Sequence, residues 1–417
     1  MKVVWRERHM SDASLADMFA RSRAIRRIST LAVAAAILAG GVAATVGPQP
    51  ARAATNPVPA GFIGVTTSPP LLEPGFPLSR ELGVMRRSGV ESLRMPFNWA
   101  AMQPYRTAGE IPNELLGRLA LVNGIPTDFR DTDRQIKAAS AAGLTVLPFV
   151  IGTPFWSWSS GRAAPDSVAS ARAYAAFMGA LVGRYGPQGT LWQEHPKIRK
   201  LPIRDWQIWN EPHIKGWWPS QPFAPAYVRL LRESRAVIKR ADPSARIVLC
   251  GLSNRSWEEL AKIYRAKGAG LFDAIAIHPY TLEPSNLVEN ARRVRAVSKA
   301  FGDSKRPIIV TEFGWPASKD AIGIKFGFET TVAGQVARIK QSLTLLAANR
   351  NALGIQRIYW ETWMTEYIST DHPFDYAGLR WLKTSGAVDN TPAFFAFRTT
   401  ALALEGCDLL PRLARCA

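Results

Sequence analysis

Two glutamates in this chain each end a short apolar run. Glu211 follows residues 206–210 (WQIWN), and Glu312 follows residues 307–311 (PIIVT). Both runs have the composition of buried strands, and a carboxylate at the end of a buried strand is unfavourable unless it is hydrogen-bonded or takes part in chemistry. Two such carboxylates facing each other form the arrangement that cleaves glycosidic bonds.

The segments that position these glutamates alternate between strand-like and helix-like patterns from residue 54 onward. Runs rich in Ile, Val, Leu and Phe predict strands at 62–66, 91–96, 144–151, 204–210, 246–251, 272–278, 307–312 and 355–360. Amphipathic stretches predict helices at 131–142, 168–185, 225–240, 256–268, 286–301 and 329–348. Nearly continuous apolar strands separated by helices are typical of parallel sheets covered on both faces. Eight such strands predict a single α/β domain over residues 54–417, a (β/α)8 TIM barrel.

This barrel places the two glutamates at the same end of the sheet. Glu211 and Cys250 are 39 residues apart, Cys250 and His278 are 28 apart, and His278 and Glu312 are 34 apart. Each interval fits one strand and helix unit, so the glutamates are predicted to end the fourth and seventh strands. Because active groups of such barrels lie at the carboxyl ends of the strands, we expect the two carboxylates to face each other across one mouth.

Four short motifs occur in order within residues 61 to about 400. They are Arg94 on the second strand, Asn210-Glu211-Pro212, His278-Pro279-Tyr280 and Thr311-Glu312-Phe313-Gly314. Taken together, the motifs resemble those of the clan A retaining glycoside hydrolases. The stretches Thr153–Trp156 and Phe272–His278 are most similar to family 39 and its biofilm-polysaccharide hydrolase relatives, with family 5 next. The resemblance implies hydrolysis of O-glycosidic bonds, with β-linkages expected, in a polysaccharide or oligosaccharide.

The resemblance also implies a role for each carboxylate. Glu211 matches the acid/base residue and Glu312 matches the nucleophile of a double-displacement mechanism, in which the carboxyl groups lie roughly 5–5.5 Å apart. Neighbouring tryptophans and the charge of Glu312 are expected to raise the pKa of Glu211. Arg94 is predicted to pair with Glu312 and keep it ionised.

Other polar side chains are predicted to bind the sugar. Asn210 matches the residue that hydrogen-bonds the sugar 2-hydroxyl, although an asparagine by itself is more commonly a turn or capping residue. His278 and Tyr280 are expected to line the cleft, with the tyrosine hydroxyl directed at Glu312. A lone histidine more often has a structural role, and this one can serve both purposes.

Aromatic residues of the predicted mouth are candidates for stacking on sugar rings. Trp360 and Trp363 both fall near the end of the eighth strand. We expect one of them to pack in the core and predict Trp360 to be the sugar platform. Trp156, on the loop after the third strand, is also predicted to bind substrate.

The predicted partner is a carbohydrate, and the chemistry requires neither a metal nor an organic cofactor. A transglycosylase would use the same two glutamates, because water and a sugar hydroxyl accept the glycosyl group after the same first step. A non-catalytic carbohydrate-binding barrel is a third hypothesis. The presence of both glutamates together with Asn210, Arg94 and Tyr280 argues against it.

Residues 1–53 have the pattern of a signal peptide. A basic patch at residues 21–27 precedes an apolar run at 31–46, and Ala51-Arg52-Ala53 offers a cleavage site. An uncleaved anchor is the alternative, but the run is short for a membrane span and rich in Ala and Gly. We predict cleavage after Ala53, by the Sec or twin-arginine route, and a secreted or cell-wall-associated protein without a stable membrane partner.

Charge and cysteine content limit which partners, disulfides and metal sites the chain can have. Of 52 basic and 33 acidic residues, eight and three fall in residues 1–53, so the rest of the chain carries +14. This excess is scattered and no nucleic-acid-binding module is recognisable, so no nucleic-acid partner is expected. Cys250 ends an apolar run and is predicted to be buried, whereas Cys407 and Cys416 are predicted to form a disulfide. No cysteine spacing indicates a metal site.

Overall fold

The computed structural model describes residues 57–158, 163–366, 371–409 and 414–415. Its centre is a parallel barrel of eight strands: β1 Ile63–Thr66, β2 Ser92–Asn98, β3 Thr145–Ile151, β4 Asp205–Ile208, β5 Arg246–Val248, β6 Ile275–His278, β7 Ile308–Phe313 and β8 Ile355–Trp360. Hydrogen-bonded neighbours follow the order β5-β4-β3-β2-β1-β8-β7-β6. A bridge between Val248 and Ala274 joins β5 to β6 and closes the ring. The predicted (β/α)8 barrel is therefore confirmed.

Eight helices alternate with these strands and cover the outside of the barrel. They are α1 Leu78–Arg86, α2 Arg130–Ala142, α3 Val168–Tyr185, α4 Ala224–Ala241, α5 Ser256–Arg265, α6 Ser285–Ala300, α7 Val332–Leu353 and α8 Pro392–Leu404. Helices α2 to α7 match the predicted helices, and α1 and α8 are additional. Local sequence sets their ends: Thr331 caps the start of α7, and Gly354 ends it in the left-handed conformation.

Hydrophobic side chains pack on both sides of the barrel wall. The barrel interior is filled by a cluster of six buried residues: Leu147, Val248, Ala274, Ala276, Ile309 and Tyr359. A larger buried cluster lies between the strands and the surrounding helices. Strands that contribute to both clusters bury alternate side chains against two apolar layers, which explains the nearly continuous apolar runs in their sequences.

A buried ion cluster closes the amino-terminal end of the barrel. Asp205, at the start of β4, is 5% exposed. It accepts two hydrogen bonds from Arg246, from Nε at 2.6 Å and from Nη2 at 2.8 Å, and it also pairs with Arg357. This charged network ties together β4, β5 and β8 at the end opposite the predicted mouth.

Long connections decorate the carboxyl-terminal end of the barrel. The β2–α2 connection contains an antiparallel hairpin, Ala120–Val122 with Ile125–Thr127, and the β8–α8 connection contains a three-stranded sheet, Met364–Glu366, Arg380–Leu382 and Val388–Asn390. The β7–α7 connection spans residues 314–331. These segments surround the mouth at which the two glutamates are predicted to lie.

The predicted signal peptide, residues 1–53, lies outside the described residues, as does Cys416. Cys407 is disulfide-bonded, and Cys250 is free and buried as predicted. No helix within the described ranges is both long enough and apolar enough to span a membrane.

Candidate active site

The carboxyl ends of β4 and β7 bring the two predicted glutamates together. Glu211 lies three residues beyond β4 and is 8% exposed, and Glu312 lies near the end of β7. One carboxylate oxygen of each and a ring nitrogen of His278 all lie within 4.8 Å of one another. An oxygen–oxygen distance of at most 4.8 Å fits the arrangement with carboxyl groups roughly 5–5.5 Å apart, which allows direct attack by the second carboxylate. It does not fit the arrangement at roughly 6.5–9.5 Å, which admits a water molecule between the two.

The chain turns sharply after β4 to present Glu211. Trp209 has φ of 66° and Glu211 has φ of 42°, conformations that cost a non-glycine residue about 1–3 kcal/mol each. Two hydrogen bonds hold the turn. The Trp209 N–H donates to the Tyr174 hydroxyl at 3.2 Å, and the Glu211 N–H donates to the Gly251 carbonyl at 3.2 Å. Packing from α3 and from the segment after β5 therefore maintains a strained backbone at a candidate catalytic residue.

Arg94, on β2, is completely buried and directs its guanidinium at three acceptors. Its nitrogens donate to Glu312 Oε1 at 2.6 Å, to Asn210 Oδ1 at 2.7 Å and to Gln207 Oε1 at 2.9 Å. The Phe149 ring lies 3.9 Å from the guanidinium carbon. This fixed cation stabilises the charge of Glu312 and orients the Asn210 amide so that its NH2 group faces away from the arginine.

Side chains at the end of β6 contact the carboxylates from another side. The Tyr280 hydroxyl donates to Glu312 Oε2 at 2.8 Å, and burial raises the pKa of Tyr280 well above its ordinary value, so the hydroxyl keeps its proton. His278 Nδ1 lies 2.8 Å from Glu211 Oε1 and 3.3 Å from Glu312 Oε2. Burial lowers the pKa of His278 to about 3, so the ring is neutral and donates from Nδ1.

Gly251 leaves the space that the His278 ring occupies. A Cβ atom placed on Gly251 would lie 1.9 Å from His278 Nε2. The glycine sits in the interruption between β5 and Leu252–Ser253, a two-residue segment that resumes pairing with β6. Only a residue without a side chain permits this approach, and the approach fixes the ring that bridges the carboxylates.

The surroundings of Glu211 favour its protonated form. Burial raises the pKa of Glu211 to about 7, against the opposing effects of the charge of Arg94 and of hydrogen bonds from Ser253 and Trp217. The hydroxyl of Ser253 lies 2.8 Å from His213 Nε2, and burial lowers the pKa of this imidazole to about 3, so it is neutral. A carboxyl group with a pKa near 7 can both give and take a proton at neutral pH.

The structure does not support Trp360 as a sugar platform. This side chain has 0% exposure and packs against Phe313 and Trp315, with ring centroids 5.5 Å and 6.3 Å away. Residues that follow β7 cover the indole, so neither face of its ring is open to a ligand in this conformation. Trp363 is also buried, with its N–H donating to Glu81 Oε1 at 2.7 Å, in agreement with the core role expected for one of the two.

Trp156 lies on the mouth loop after β3, where it was predicted. It is half-buried, and its N–H donates to the Gln103 carbonyl at 2.8 Å. The neighbouring Phe155 and Trp158 are more open, with 81% and 38% exposure and ring centroids 5.0 Å apart. The aromatic surface of this loop therefore belongs mainly to the residues on either side of Trp156.

Three contacts of the carboxylate network were absent from the sequence prediction. They are Gln207, which accepts from Arg94, and Ser253 and Trp217, which act on Glu211. Gln207 had a sequence signal, because an amide in the middle of a buried apolar strand needs a hydrogen-bond partner. Ser253 had none, since the predicted fifth strand ended two residues before it.

Glu211, His278 and Glu312 are also the one group of potential metal ligands found among the described residues. The guanidinium of Arg94 already lies 2.6 Å from Glu312, and a second cation beside it would be repelled. His278 Nδ1 is engaged by the carboxylates. The donor set therefore fits a hydrogen-bonded carboxylate pair better than a cation site.

Two cavities of about 610 and 600 Å³ lie away from this network. One is lined by residues of α1 and α2, and the other lies between the hairpin at 120–127 and helices α2 and α3. Neither is lined by Glu211 or Glu312. The chemistry argued from the carboxylates thus belongs to the barrel mouth rather than to either cavity.

No protein-family model and no curated protein matches this sequence. Solved structures match its fold. A family 39 glycoside hydrolase from Bacteroides cellulosilyticus WH2 has a TM-score of 0.58 at 16% identity, over 83% of this chain and 64% of that chain. A monomeric β-xylosidase from Caulobacter crescentus CB15 has a TM-score of 0.55 at 19% identity, over 83% and 69%. An α-L-arabinofuranosidase from Thermotoga maritima has a TM-score of 0.55 at 14% identity, over 83% and 70%.

These matches bear out the predicted likeness to family 39 at the level of the fold. The chain spans 64% of the length of the first of these structures, which is slightly less than two thirds. At identities below 20%, the shared property is the barrel itself, and the activity has to be argued from the residues at its mouth.

Proposed function

We propose that this protein is a retaining glycoside hydrolase that cleaves O-glycosidic linkages by double displacement. The observation that carries the proposal is the unequal environment of two carboxylates whose oxygens lie within 4.8 Å. Glu312 is paired with Arg94 at 2.6 Å, whereas burial raises the pKa of Glu211 to about 7. One carboxyl group is suited to attack as an anion and the other to donate a proton.

In the first step, Glu312 attacks the anomeric carbon while Glu211 protonates the glycosidic oxygen. The bond from the anomeric carbon to the leaving oxygen breaks as a bond to a Glu312 oxygen forms, and the leaving sugar departs as an alcohol. Asn210 is assigned to the sugar 2-hydroxyl, because Arg94 holds its carbonyl oxygen at 2.7 Å and leaves its NH2 group as the donor.

In the second step, the ionised Glu211 takes a proton from water, and the resulting nucleophile attacks the anomeric carbon. The bond to Glu312 breaks, and the sugar is released with its original anomeric configuration. His278 donates from Nδ1 toward both carboxylates, so it stabilises whichever of them is charged at each stage. Neither step requires a metal or an organic cofactor.

We assign a β-linked oligosaccharide or polysaccharide as the substrate class. Phe155 and Trp158 supply exposed aromatic faces on the loop after β3, and such faces stack on the apolar sides of sugar rings. The β-xylosidase among the structures with this fold supports a β-linkage. A transglycosylase would share the first step and differ only in the acceptor.

We further propose that the enzyme acts outside the cytoplasm, secreted or attached to the cell wall. The signal-peptide pattern of residues 1–53 supports export. The disulfide at Cys407 accords with an oxidising compartment.

Product release from a panel of β-linked polysaccharides and aryl glycosides tests the proposal. The wild type is expected to release reducing sugar from one substrate class, and Glu312→Ala to lower that rate by about 10⁴-fold or more. Glu283→Ala is the matched control, because this glutamate lies beyond β6 with its side chain 58% exposed. It is expected to behave like the wild type.

Three outcomes separate the hypotheses. Activity that survives Glu312→Ala removes this residue from the nucleophile role. Products longer than the substrate identify a transglycosylase. A folded wild type that binds a polysaccharide but releases nothing from any member of the panel identifies a carbohydrate-binding barrel.

A further inference from the structure

Glu329, on the β7–α7 connection, folds a short segment of backbone around its carboxylate. The residue is 2% exposed and accepts hydrogen bonds from four consecutive backbone N–H groups. Oε1 accepts from Lys325 at 3.0 Å and Phe326 at 2.6 Å, and Oε2 accepts from Gly327 at 2.9 Å and Phe328 at 3.1 Å. The mechanism above makes no use of this buried carboxylate.

The folded segment leads directly to the nucleophile. Phe328 is 2% exposed and stacks on the Tyr280 ring, with centroids 5.2 Å apart and an interplanar angle of 26°. Phe374 packs edge-on against the same tyrosine at 5.3 Å. The Tyr280 hydroxyl then donates to Glu312 Oε2 at 2.8 Å. A continuous series of contacts therefore connects the Glu329 carboxylate to the Glu312 carboxylate.

We propose that Glu329 is a positioning residue for the nucleophile. By holding residues 325–328 it sets the ring of Phe328, and that ring orients the Tyr280 hydroxyl toward Glu312. The role of Glu312 in this inference rests on the proposed function. A carboxylate is required because each of its two oxygens takes two N–H donors. Glutamine has the same size, but its NH2 group would replace one of the two accepting oxygens. Two backbone N–H groups would then point at a group that is itself a donor.

The other contacts of the segment hold it less firmly. Lys325 Nζ donates to the Asp371 carbonyl at 2.6 Å and lies 3.1 Å from Asp371 Oδ2. Both contacts are made through a long lysine side chain, and the aspartate side chain is 92% exposed, where ion pairs contribute little. Phe326 packs on Phe328 and Phe374 through its ring alone. The four hydrogen bonds to Glu329, in contrast, act directly on the backbone that carries Phe328.

The experiment measures how fast a 2-deoxy-2-fluoro glycoside of the preferred sugar labels Glu312 covalently, together with kcat on the matching aryl glycoside. The proteins are the wild type, Glu329→Gln, Tyr280→Phe and the double variant. Glu283→Gln makes the same chemical change on the loop after β6 and is the control. Each single variant is expected to slow labelling by about tenfold, the effect of one charge-assisted hydrogen bond.

Non-additivity separates positioning from a general structural effect. If Glu329 acts through Tyr280, the double variant labels no more slowly than Tyr280→Phe alone. Phe328→Leu keeps the carboxylate and its four bonds but removes the stacked ring. Phe328→Leu is expected to slow labelling of Glu312 as Glu329→Gln does. It replaces Glu329→Gln in the experiment if that variant does not fold.

Two results overturn the inference. The first is a Glu329→Gln variant that is labelled at the wild-type rate, and the second is a double variant whose loss equals the product of the two single losses. Failure of the proposed function looks different, because the wild type itself would then neither hydrolyse a glycoside nor be labelled. In that case there is no nucleophile to position, and the inference falls with it.

Discussion

The ends of β4 and β7 carry the same residue type in opposite surroundings. Glu211 is contacted by neutral donors, His278 and Ser253, and burial raises its pKa to about 7. Glu312 receives a guanidinium nitrogen of Arg94 at 2.6 Å in addition to the neutral hydroxyl of Tyr280 at 2.8 Å. The two carboxylates are close to each other, yet among the described residues a cation directly contacts only Glu312.

This difference shows how a symmetric fold assigns unequal roles to equal side chains. The barrel places a glutamate at the end of two strands, and a single buried arginine on β2 is in direct contact with one of them and not with the other. Arg94 also fixes Asn210 and Gln207, so the side chain that pairs with the proposed nucleophile also orders the Asn210 amide, which is proposed to bind the sugar.

Replacing each glutamate by alanine has the largest expected effect and tests whether the two carboxylates have different roles. Glu211→Ala is expected to lower hydrolysis of unactivated linkages by about 10²–10⁴-fold, the usual contribution of general acid–base catalysis. Azide should restore turnover of aryl glycosides with good leaving groups, because it needs no general base to attack the glycosyl intermediate. Proton NMR of the glycosyl azide measures the outcome, and a product with retained configuration is expected.

Glu312→Ala is the matched variant for this test. Azide bound in the space of the missing carboxylate would attack the substrate directly and give a glycosyl azide of inverted configuration. If Glu312→Ala gave a glycosyl azide of retained configuration, or Glu211→Ala one of inverted configuration, the nucleophile and acid/base assignments would have to be reversed.

The sequence predicted much of this comparison because its signals are local. Buried parallel strands have nearly continuous apolar sequences, and a carboxylate that ends such a strand is conspicuous. Arg94, Asn210, His278 and Tyr280 were predicted from short motifs. The structure places Arg94, His278 and Tyr280 against the carboxylate pair and Asn210 against Arg94. Their roles toward a sugar stay predictions.

What the sequence did not predict depends on packing between distant segments or on the fold of a loop. The fifth strand breaks at residues 249–251 and resumes at Leu252, so Ser253 reaches Glu211 from beyond the predicted strand. Trp360 looked available for a sugar, but Trp315 from the next loop covers it. Glu329 gave no sequence signal, since its four backbone partners depend on the fold of the loop.

Amide substitutions sharpen the comparison, because the two positions are expected to change stability in opposite directions. Glu312→Gln leaves the guanidinium of Arg94 buried without its anion, a change that costs about 3–5 kcal/mol of unfolding free energy. Glu211→Gln should raise the melting temperature above pH 7. The pKa of Glu211 is higher in the folded state than in the unfolded state. The contribution of this carboxyl to the free energy of unfolding is therefore complete below the ordinary glutamate pKa and is lost as the pH rises through about 7.

Thermal unfolding of both variants at pH 4.5 and pH 8 measures these effects. The stability gain of Glu211→Gln is expected at pH 8 and should largely disappear at pH 4.5, where the wild-type carboxyl is protonated in the folded state and about half protonated in the unfolded state. A gain that is equal at both pH values would show that ionisation of Glu211 is not its cause.

The smallest expected effect concerns the hydroxyl of Ser253. The Ser253 hydroxyl lies 2.8 Å from His213 Nε2. Its hydrogen bond to Glu211 lowers the pKa of that carboxyl, in opposition to burial, which raises this pKa. In the wild type, kcat/KM should fall about tenfold per pH unit above pH 7, as Glu211 loses its proton. Ser253→Ala should move this basic limb to higher pH by about half a pH unit, because the charged form of Glu211 loses a donor.

Ser256→Ala is the control. The Ser256 hydroxyl donates to the Leu252 carbonyl, so its removal should leave the limb unchanged. A limb that moves downward in Ser253→Ala would mean that the hydroxyl stabilises the protonated carboxyl, and the neutral donors around Glu211 would then be part of what keeps it an acid.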